Sequence, residues 1–445
     1  MEKFTLEKPY ITENTFKKAI GRIIDAKAEL GSHITKIHSP KYLYWDKARY
    51  QSRPKGITAE EFWMVIQLLR HNSPNRSETI ILDKNGRSFT WQPLPELDRN
   101  LHEIDMDLGG TLESKLIDDK STRQRFITRG IMEEAIASSQ LEGASTTRKV
   151  AKRMLIERRA PRNKSEQMIL NNYRAMLAIE NEYRNEPMSV DLLLTLHKTL
   201  TVDTISKDEV GRLRKDKDEV VVCDPVQNLV YHVPPDEQLL KKELKRFINY
   251  ANDKLDKQRF IHPLIKAIFL HFWFAYLHPF TDGNGRLARI IFLWYLLRNN
   301  YWGFSYLPIS QMIRKSPAQY RDAYVYTEQD NNDLTYFIDY LIRKILMAKK
   351  EFNDYVKRSA TSNRKMVRVA RERYQLNDRQ IQLLKYLYKN PGVAISINTH
   401  SHVNGVSRPT ANKDLQELEN LGFLKSQKIG RDRPFRSTPK ASELF

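Results

Sequence analysis

Two apolar helical segments joined by a glycine-containing turn are the feature that most restricts how this 445-residue chain can fold. Ala267 to Leu277 is apolar except for His271, and a second apolar segment runs through Leu287 to Leu297. A helix that crosses a bilayer needs about 20 apolar residues, so both segments are interpreted as buried helices. Because the pattern from about residue 112 to 345 is helical almost throughout, we expect a mainly α protein.

The turn between these segments combines the parts of a phosphate-transfer site. Residues 278–289 read HPFTDGNGRLAR. The two glycines let the backbone approach a ligand closely, and the following helix presents free N–H groups and the positive end of its dipole. Arg286 and Arg289 are three residues apart and can reach the same side of the first helical turn. Asp282 suits a divalent cation that bridges to phosphates, and His278 is placed to take a proton from an attacking hydroxyl.

These twelve residues resemble the signature of the Fic family, H-x-F-x-[D/E]-G-N-G-R-x-x-R, and match all eight of its fixed positions. The resemblance implies a Fic-type helical core that transfers AMP from ATP to a Ser, Thr or Tyr hydroxyl of a target protein. It also implies His278 as the general base and Asp282 as the ligand of Mg²⁺. The phosphates of ATP would be bound by an anion hole and two arginines: Gly283, Asn284, Gly285, Arg286 and, at the γ-phosphate, Arg289.

A second pattern, Ser138-Ser-Gln-Leu-Glu142-Gly143, resembles the inhibitory motif [S/T]-x-x-x-E-[G/N] of the same family. It ends a predicted helix over residues 122–143, on which Ser138 and Glu142 are four residues apart and share one face. The resemblance implies that Glu142 pairs with Arg289 in the place of the γ-phosphate. We therefore expect an autoinhibited adenylyltransferase.

The chain is predicted to have four parts. Residues 1–110 form a small α/β module of unknown role, and residues 111–345 form the Fic core. A basic connecting helix over residues 346–373 leads to a winged helix-turn-helix domain over residues 374–445.

Three local signals organise the N-terminal module. The helix Phe16–Leu30 is expected to end at Gly31, acting as a C′ glycine. A capping box at Thr58 to Glu61 starts a second helix that runs to about His71. Residues 79–82 and 87–91 flank an Asn-Gly pair and predict a β-hairpin.

A further hairpin is predicted inside the helical core, over residues 220–233. Its strands, Val220–Cys223 and Leu229–Val233, flank a turn that contains Asp224 and Pro225. It looks like the flap of the family, which would hold the target segment by adding a strand. Cys223, the only cysteine, is interpreted there as a small apolar side chain.

The basic charge of the chain is concentrated at its C-terminal end. The whole chain carries +20, of which residues 341–373 contribute +8 and residues 374–445 contribute +5. The helix–helix–helix–hairpin pattern there resembles a winged helix and suggests DNA as a partner, although such domains also bind proteins. The expected DNA contacts are Arg408, Thr410 and Lys413 on the second long helix and Arg431 and Arg433 on the wing.

Several alternatives stay open at this stage. The same site could remove AMP from a protein or transfer another nucleotide-derived group, and the chain could be a DNA-binding regulator whose Fic core senses nucleotide. The single cysteine and the absence of a signal-peptide pattern predict a cytoplasmic protein without a membrane partner. Whether it forms a homodimer is open. His197, His262 and His271 lie on apolar helices and are interpreted as packed histidines.

Overall fold

The computed structural model describes residues 1–25, 27–110, 120–224, 226–255, 260–390, 392–427 and 433–442. Two residues discussed above, Pro225 of the hairpin and Arg431 of the wing, lie outside this described part, as does the predicted boundary at residue 111.

Helices dominate the described chain, which confirms the expected mainly α class. In chain order they are α1 (Glu13–Asp25), α2 (Lys27–His38), α3 (Trp45–Ala48), α4 (Ala59–His71), α5 (Leu97–Leu108), α6 (Lys120–Leu141), α7 (Arg148–Glu157), α8 (Lys164–Ala178), α9 (Val190–Thr201), α10 (Glu237–Ala251), α11 (Pro263–Leu277), α12 (Asn284–Arg298), α13 (Ile309–Arg314), α14 (Pro317–Gln329), α15 (Thr335–Tyr374), α16 (Asp378–Lys389), α17 (Ile397–Asn404), α18 (Arg408–Asn420) and α19 (Pro439–Ser442). Among the described residues, no helix is both long and apolar enough to cross a membrane.

Seven short strands form three small sheets within the described residues. The strands are β1 (Glu2–Lys3), β2 (Ser77–Leu82), β3 (Ser88–Trp91), β4 (Val222–Asp224), β5 (Leu229–His232), β6 (Leu424–Ser426) and β7 (Phe435–Ser437). Strands β2 and β3 pair antiparallel, as do β6 and β7. The third sheet has the order β1-β5-β4, with β1 parallel and β4 antiparallel to the central β5.

The chain divides into two compact units. The first comprises residues 1–110, 178–304 and 312–346, and the second comprises residues 111–177, 305–311 and 347–445. The four predicted sequence boundaries stay predictions.

The first unit is built around α11 and α12. Every residue of α11 from Leu264 to Phe274 is buried, and so is every residue of α12 from Arg286 to Leu297. This confirms the interpretation of the two apolar segments as buried helices. The same helices place the ends of the intervening turn, residues 278 and 284, at fixed positions in the unit.

The N-terminal part of the first unit agrees with two of its three local signals. Thr58 and Glu61 form a capping box at the start of α4, and β2 and β3 form the predicted hairpin. The helix end at Gly31 was predicted wrongly, because α2 continues through Gly31 to His38. Leu30 and Ile37, two turns apart, are both buried on α2, and this burial offsets the roughly 1 kcal/mol that a helical glycine costs.

The second unit contains α6, α7, most of α8 and the C-terminal helices. Gly130 on α6 faces the backbone of residues 305–306, where an added Cβ would lie only 2.2 Å from the oxygen of Ser305. In the C-terminal part, Leu384, Leu415 and Phe423 lie in one apolar core shared by α16, α18 and the β6–β7 hairpin.

Candidate active site

The end of α11 sets the position of His278. His278 caps α11 with φ of +47°, and its N–H donates to the oxygen of Phe274 at 3.0 Å. Pro279 follows, and a residue before proline is disfavoured in the right-handed helical region, so the helix cannot continue through His278. The left-handed turn at His278 therefore ends α11 at this residue.

The imidazole of His278 has its proton acceptor at Nε2. Its Nδ1 lies 3.2 Å from the oxygen of Ala275. Since a carbonyl oxygen only accepts hydrogen bonds, Nδ1 carries the proton and Nε2 keeps its lone pair. Burial, together with the neighbouring charge of His232, lowers the pKa of His278 to about 4. At neutral pH the ring is thus uncharged and able to take a proton.

The turn after His278 is held by its own side chains and by a histidine from α9. Asn284 accepts from the N–H of Phe280 at 3.0 Å and donates to its oxygen at 2.8 Å. The ring of Phe280 stacks on His197 with centroids 3.8 Å apart. His197 accepts at Nδ1 from Gly211 N–H and donates from Nε2 to the oxygen of Asp282, both at 3.0 Å. His197 is a packed histidine, as predicted, and it also positions this turn.

Gly283 allows the backbone to enter α12 at a sharp angle. Its φ is +84°, a region that side chains rarely adopt, and an added Cβ would lie 3.1 Å from Cγ2 of Thr201. The N–H groups at the start of α12 have no partner inside the helix and face the same end as the positive dipole. A helix start of this kind is suited to binding an anion.

The two arginines of the motif are both buried, at 0% exposure for Arg286 and 4% for Arg289. Arg286 donates from Nη1 to the oxygen of Leu200 at 3.1 Å, and its Nη2 lies 3.4 Å from Oδ1 of Asp282. Among the described residues, Nε of Arg286 has no hydrogen-bond partner. Arg289 lies near enough to His271 to help lower the pKa of that histidine, after burial, to about 3.

Asp282 is the carboxylate nearest to the start of α12. Its side chain is 46% exposed, and Oδ1 accepts from the N–H of Gly283. No cluster of three or more metal-ligating side chains exists among the described residues. A Mg²⁺ ion commonly takes one protein carboxylate, substrate phosphates and water, and Asp282 beside an anion-binding helix start fits that donor set.

A family comparison agrees with this geometry. Residues 187–296 match the model of the Fic/DOC family.

The chain contains a Fic/DOC domain.

Curated relatives resemble only part of this chain. Protein adenylyltransferase Fic of Nematostella vectensis is 30% identical over 161 residues, which are 36% of this chain and 33% of the relative. Protein adenylyltransferase fic-1 of Caenorhabditis elegans is 26% identical over 117 residues, which are 26% of this chain and 21% of the relative. The chain therefore spans a third or less of the length of these relatives. A crystal structure of a Fic family protein from Desulfovibrio desulfuricans covers 77% of this chain and 94% of its own, at 20% identity and a TM-score of 0.46.

The predicted hairpin of the Fic domain is present as β4 and β5, and it has a third strand that the sequence did not indicate. Glu2 pairs with Leu229 and Lys3 with Val230, so β1 covers one edge of β5. The opposite edge of this sheet is formed by β4, on the side of β4 that does not pair with β5. This side is called the outer edge of β4. Cys223 lies in β4 and is partly buried.

Two side chains near His278 were not singled out from the sequence. Arg214 donates from Nε to the oxygen of His278 at 2.8 Å and from Nη2 to the oxygen of Leu277 at 3.2 Å. His232, the last residue of β5, contacts the oxygen of Tyr276 through Nε2 at 2.8 Å. The sequence signal for His232 was its place at the end of the hairpin, and Arg214 has no comparable signal.

The residues of the inhibitory pattern lie in the second unit of the chain. Ser138 is fully buried on α6, which ends at Leu141. Glu142 and Gly143 follow in a turn, where the N–H of Glu142 donates to the oxygen of Ser139 and Gly143 has φ of +91°. Glu142 is therefore just beyond the helix and not on its face.

The residues expected to contact DNA are exposed to different degrees. Arg408 is exposed at the start of α18, and Lys413 lies 3.9 Å from Glu417 on the same helix. The side chain of Thr410 contacts that of Ser407 at 2.9 Å. Arg433 donates to Glu419 at 2.9 Å and to Ser426 at 2.7 Å, so it is engaged within its own domain.

Proposed function

We propose that this protein transfers AMP from ATP to the hydroxyl of a Ser, Thr or Tyr side chain of a protein, its own chain included. The observation that carries the proposal is a neutral His278 with a free Nε2 lone pair, four residues before Asp282 and a helix start suited to phosphate. The family match and the adenylyltransferase names of its relatives support the same reaction.

In this reaction the target hydroxyl oxygen attacks the α-phosphorus of ATP. A phosphorus–oxygen bond to the target forms, the bond to the pyrophosphate oxygen breaks, and pyrophosphate leaves with its electron pair. The hydroxyl proton goes to Nε2 of His278, which is neutral at physiological pH because burial lowers its pKa. The Nδ1–H bond to Ala275 holds the ring in the tautomer that this step needs.

The start of α12 would bind the phosphates through the backbone N–H groups of residues 283–285. The amide of Asn284 is engaged by Phe280, so its contribution would be its main-chain N–H. Asp282 would hold Mg²⁺, which stabilises the negative charge of the phosphates when bound. A phosphate contact of Arg286 would use its Nε, because Nη1 already donates to Leu200.

We further propose that Glu142 inhibits the enzyme by pairing with Arg289, where the γ-phosphate would otherwise bind. A carboxylate and a guanidinium can form two parallel hydrogen bonds, which compete directly with a phosphate oxygen for the same donors. The inhibitory pattern Ser138 to Gly143 supports this proposal.

The test is incubation of the full chain with Mg²⁺ and α-labelled ATP, followed by intact mass spectrometry. We expect one added AMP per modified site, with more incorporation in Glu142→Gly and Glu142→Gln than in the wild type. Glu157→Gly is the matched control, because Glu157 ends α7 in the same unit and lies outside the inhibitory pattern. Equal incorporation in all four proteins would refute the inhibition.

The base is tested by His278→Asn and His278→Ala. Asparagine tolerates the left-handed backbone of residue 278 and lacks the proton acceptor, so it separates loss of the base from strain. We expect both variants to bind ATP and to transfer no AMP. Full transfer by His278→Asn would contradict the assignment of the base. Absence of transfer in every protein, including Glu142→Gly, would favour AMP removal or another nucleotide donor, which a pre-adenylylated substrate and other nucleotides then distinguish.

We propose that the target segment docks on the outer edge of β4, since β1 covers the corresponding edge of β5. An extended segment would pair its main chain with residues 222–224. A proline at position 223 cannot donate a main-chain hydrogen bond and would disturb β4, so we expect Cys223→Pro to raise the KM for target more than Cys223→Ala does.

A second proposed activity, DNA binding, rests on the order of elements in residues 374–445. Helices α16, α17 and α18 precede the β6–β7 hairpin, and Ile395 exchanges two 2.8 Å backbone hydrogen bonds with Phe435 as a third strand. This arrangement supports a winged helix. We expect salt-dependent binding of the full chain to non-specific duplex DNA, weakened by Arg408→Ala with Lys413→Ala. Absence of binding at low salt in the wild type would contradict it.

A further inference from the structure

His232 makes two short contacts that together determine its charge. Its Nδ1 lies 2.7 Å from Oε2 of Glu328, and its Nε2 lies 2.8 Å from the oxygen of Tyr276. Both partners accept hydrogen bonds, a carbonyl oxygen always and a carboxylate when ionised. A neutral imidazole has one N–H, so one of the two contacts would then face lone pair against lone pair. His232 is therefore an imidazolium paired with a carboxylate.

The pair is shielded from water in the first unit. The side chain of His232 is 10% exposed and that of Glu328 is 22% exposed. Burial alone would favour the neutral imidazole, but the Glu328 carboxylate and the Tyr276 carbonyl raise the pKa of His232 above its ordinary value. The structure thus keeps a positive charge beside the end of α11.

The same helix end carries His278. Four successive carbonyls, from Ala275 to His278, each receive a hydrogen bond from a cationic or imidazole side chain: His278 itself, His232, and Arg214 twice. Cations are favoured at a helix C-terminus, where the dipole is negative. His232 fixes the carbonyl of Tyr276, two residues before the left-handed His278.

We propose that His232 and Glu328 form a charged positioning pair that orients His278 and keeps it unprotonated as a proton acceptor. The pair has a direction, because Nε2 of His232 contacts the carbonyl of Tyr276, two residues before His278, whereas Glu328 lies on the opposite, Nδ1 side of the ring. Its positive end therefore faces His278 and opposes a second positive charge there. The role assigned to His278 rests on the proposed function, but the charge state of the pair does not.

The other groups that face His232 are consistent with this role. Helix α11 presents Tyr276, whose ring centroid is 5.0 Å away, and α14 presents Glu328. The loop before the hairpin presents Arg214, a further positive charge that lowers the pKa of both histidines. The partner of His232 in β4, Val222, is uncharged. Glu328 is thus the carboxylate that decides the charge of His232.

The first experiment measures the charge state of both histidines in the wild-type protein. The full chain, with ¹⁵N-labelled histidine, is titrated by NMR, and the signals are assigned with single histidine substitutions. We expect both ring nitrogens of His232 to be protonated at pH 7.5 and His278 to titrate well below an ordinary histidine. A neutral His232 at pH 7.5 would overturn the proposal.

The second experiment compares Glu328→Gln and His232→Gln with the matched control Glu13→Gln, which removes an exposed carboxylate from α1 of the same unit. Each pair variant keeps hydrogen-bonding atoms at the substituted position. Glu328→Gln removes the carboxylate that keeps His232 charged, and His232→Gln removes the imidazolium itself. We expect the titration midpoint of His278 to rise by on the order of one pH unit in both and to stay unchanged in the control. The acidic limb of the AMP-transfer profile should move by the same amount, without a change in the KM for ATP.

An unchanged His278 midpoint in both pair variants would overturn the positioning role. If Glu328→Gln does not fold, His232→Gln and the wild-type charge state decide the outcome. Absence of AMP transfer in every protein would refute the proposed function, while the NMR titration would still test the pair.

Discussion

Gly283 lies where the turn proposed to bind phosphate enters α12, and its replacement by alanine tests the geometry of the site. The φ of +84° disfavours any side chain, which costs about 1–2 kcal/mol in the left-handed region. The added Cβ would also lie 3.1 Å from Cγ2 of Thr201, closer than ordinary van der Waals contact. We expect Gly283→Ala to lower the free energy of unfolding by about 2–3 kcal/mol. The left-handed backbone accounts for about 1–2 kcal/mol of this loss, and the contact with Thr201 and strain on the turn account for the rest.

The two contributions can be separated with variants that the chain offers. Gly56 has φ of +74° and open space around its Cα, so Gly56→Ala measures the backbone cost alone. Thr201→Ser removes Cγ2 and keeps the hydroxyl that donates to the oxygen of His197 at 2.7 Å. In the double variant with Gly283→Ala we expect part of the lost stability to return, by about 0.5–1 kcal/mol.

The assay is urea unfolding followed by tryptophan fluorescence, since Trp273 and Trp294 are both fully buried in the first unit. AMP transfer is measured on the same proteins. Because Gly283 is among the residues whose N–H groups are proposed to bind phosphate, Gly283→Ala should reduce kcat more than its stability loss explains, and Gly56→Ala should not. The reasoning is refuted if Gly283→Ala costs no more than Gly56→Ala and Thr201→Ser restores nothing.

Three further predictions concern acid sensitivity and packing. The AMP-transfer rate should fall as the pH drops through about 4–5 and not near 6.5, because His278 must be neutral and its pKa is lowered to about 4. A profile of the transfer rate against pH across this range checks the prediction, and a midpoint near 6.5 would contradict it. Gly130→Ala should lower the free energy of unfolding by about 3 kcal/mol, because the added Cβ would lie 2.2 Å from a backbone oxygen. Gly21→Ala, with open space around the added Cβ on α1, should be neutral or slightly stabilising. Thermal unfolding of both variants checks this, and equal effects of the two would refute the close-packing argument. Asp414→Ala should destabilise the C-terminal part by about 3 kcal/mol, since it leaves Arg379 and His400 without their shared carboxylate. The pKa of Asp414 lies below its ordinary value, so this stabilisation is present above the ordinary aspartate pKa and should disappear as the pH falls below it. Urea unfolding of the wild type and Asp414→Ala at pH 7 and at low pH measures the stability difference between them. An equal difference at both pH values would contradict this pH dependence.

The parts of the site that could be predicted from the sequence are those that are contiguous along the chain. The turn from His278 to Arg289 places its groups by local backbone geometry, and its flanking helices were predicted from their apolar runs. Arg214, His232 and Glu328 reach the same helix end from distant segments, so no spacing in the sequence relates them to His278.

Two differences in local structure have the same kind of cause. Gly31 favoured a helix end by local preference, but burial of the helix face on both sides of it decided otherwise. The pairing of β1 with β5 joins residues more than 200 positions apart, and two residues are too short a strand to show any alternating pattern.

That pairing has a consequence for the order in which the protein folds during synthesis. Residues 2–3 are translated before their strand partners, residues 229–230, which follow after about 225 further residues, and Gln329, which bonds Phe4 and Leu6, comes later still. At about 5–20 residues per second, the N-terminal segment waits on the order of 10–45 seconds for β5. Contacts of such long range form late in folding, because the chain must first close a large loop. The sheet that carries the hairpin is therefore completed only after most of the first unit has been translated.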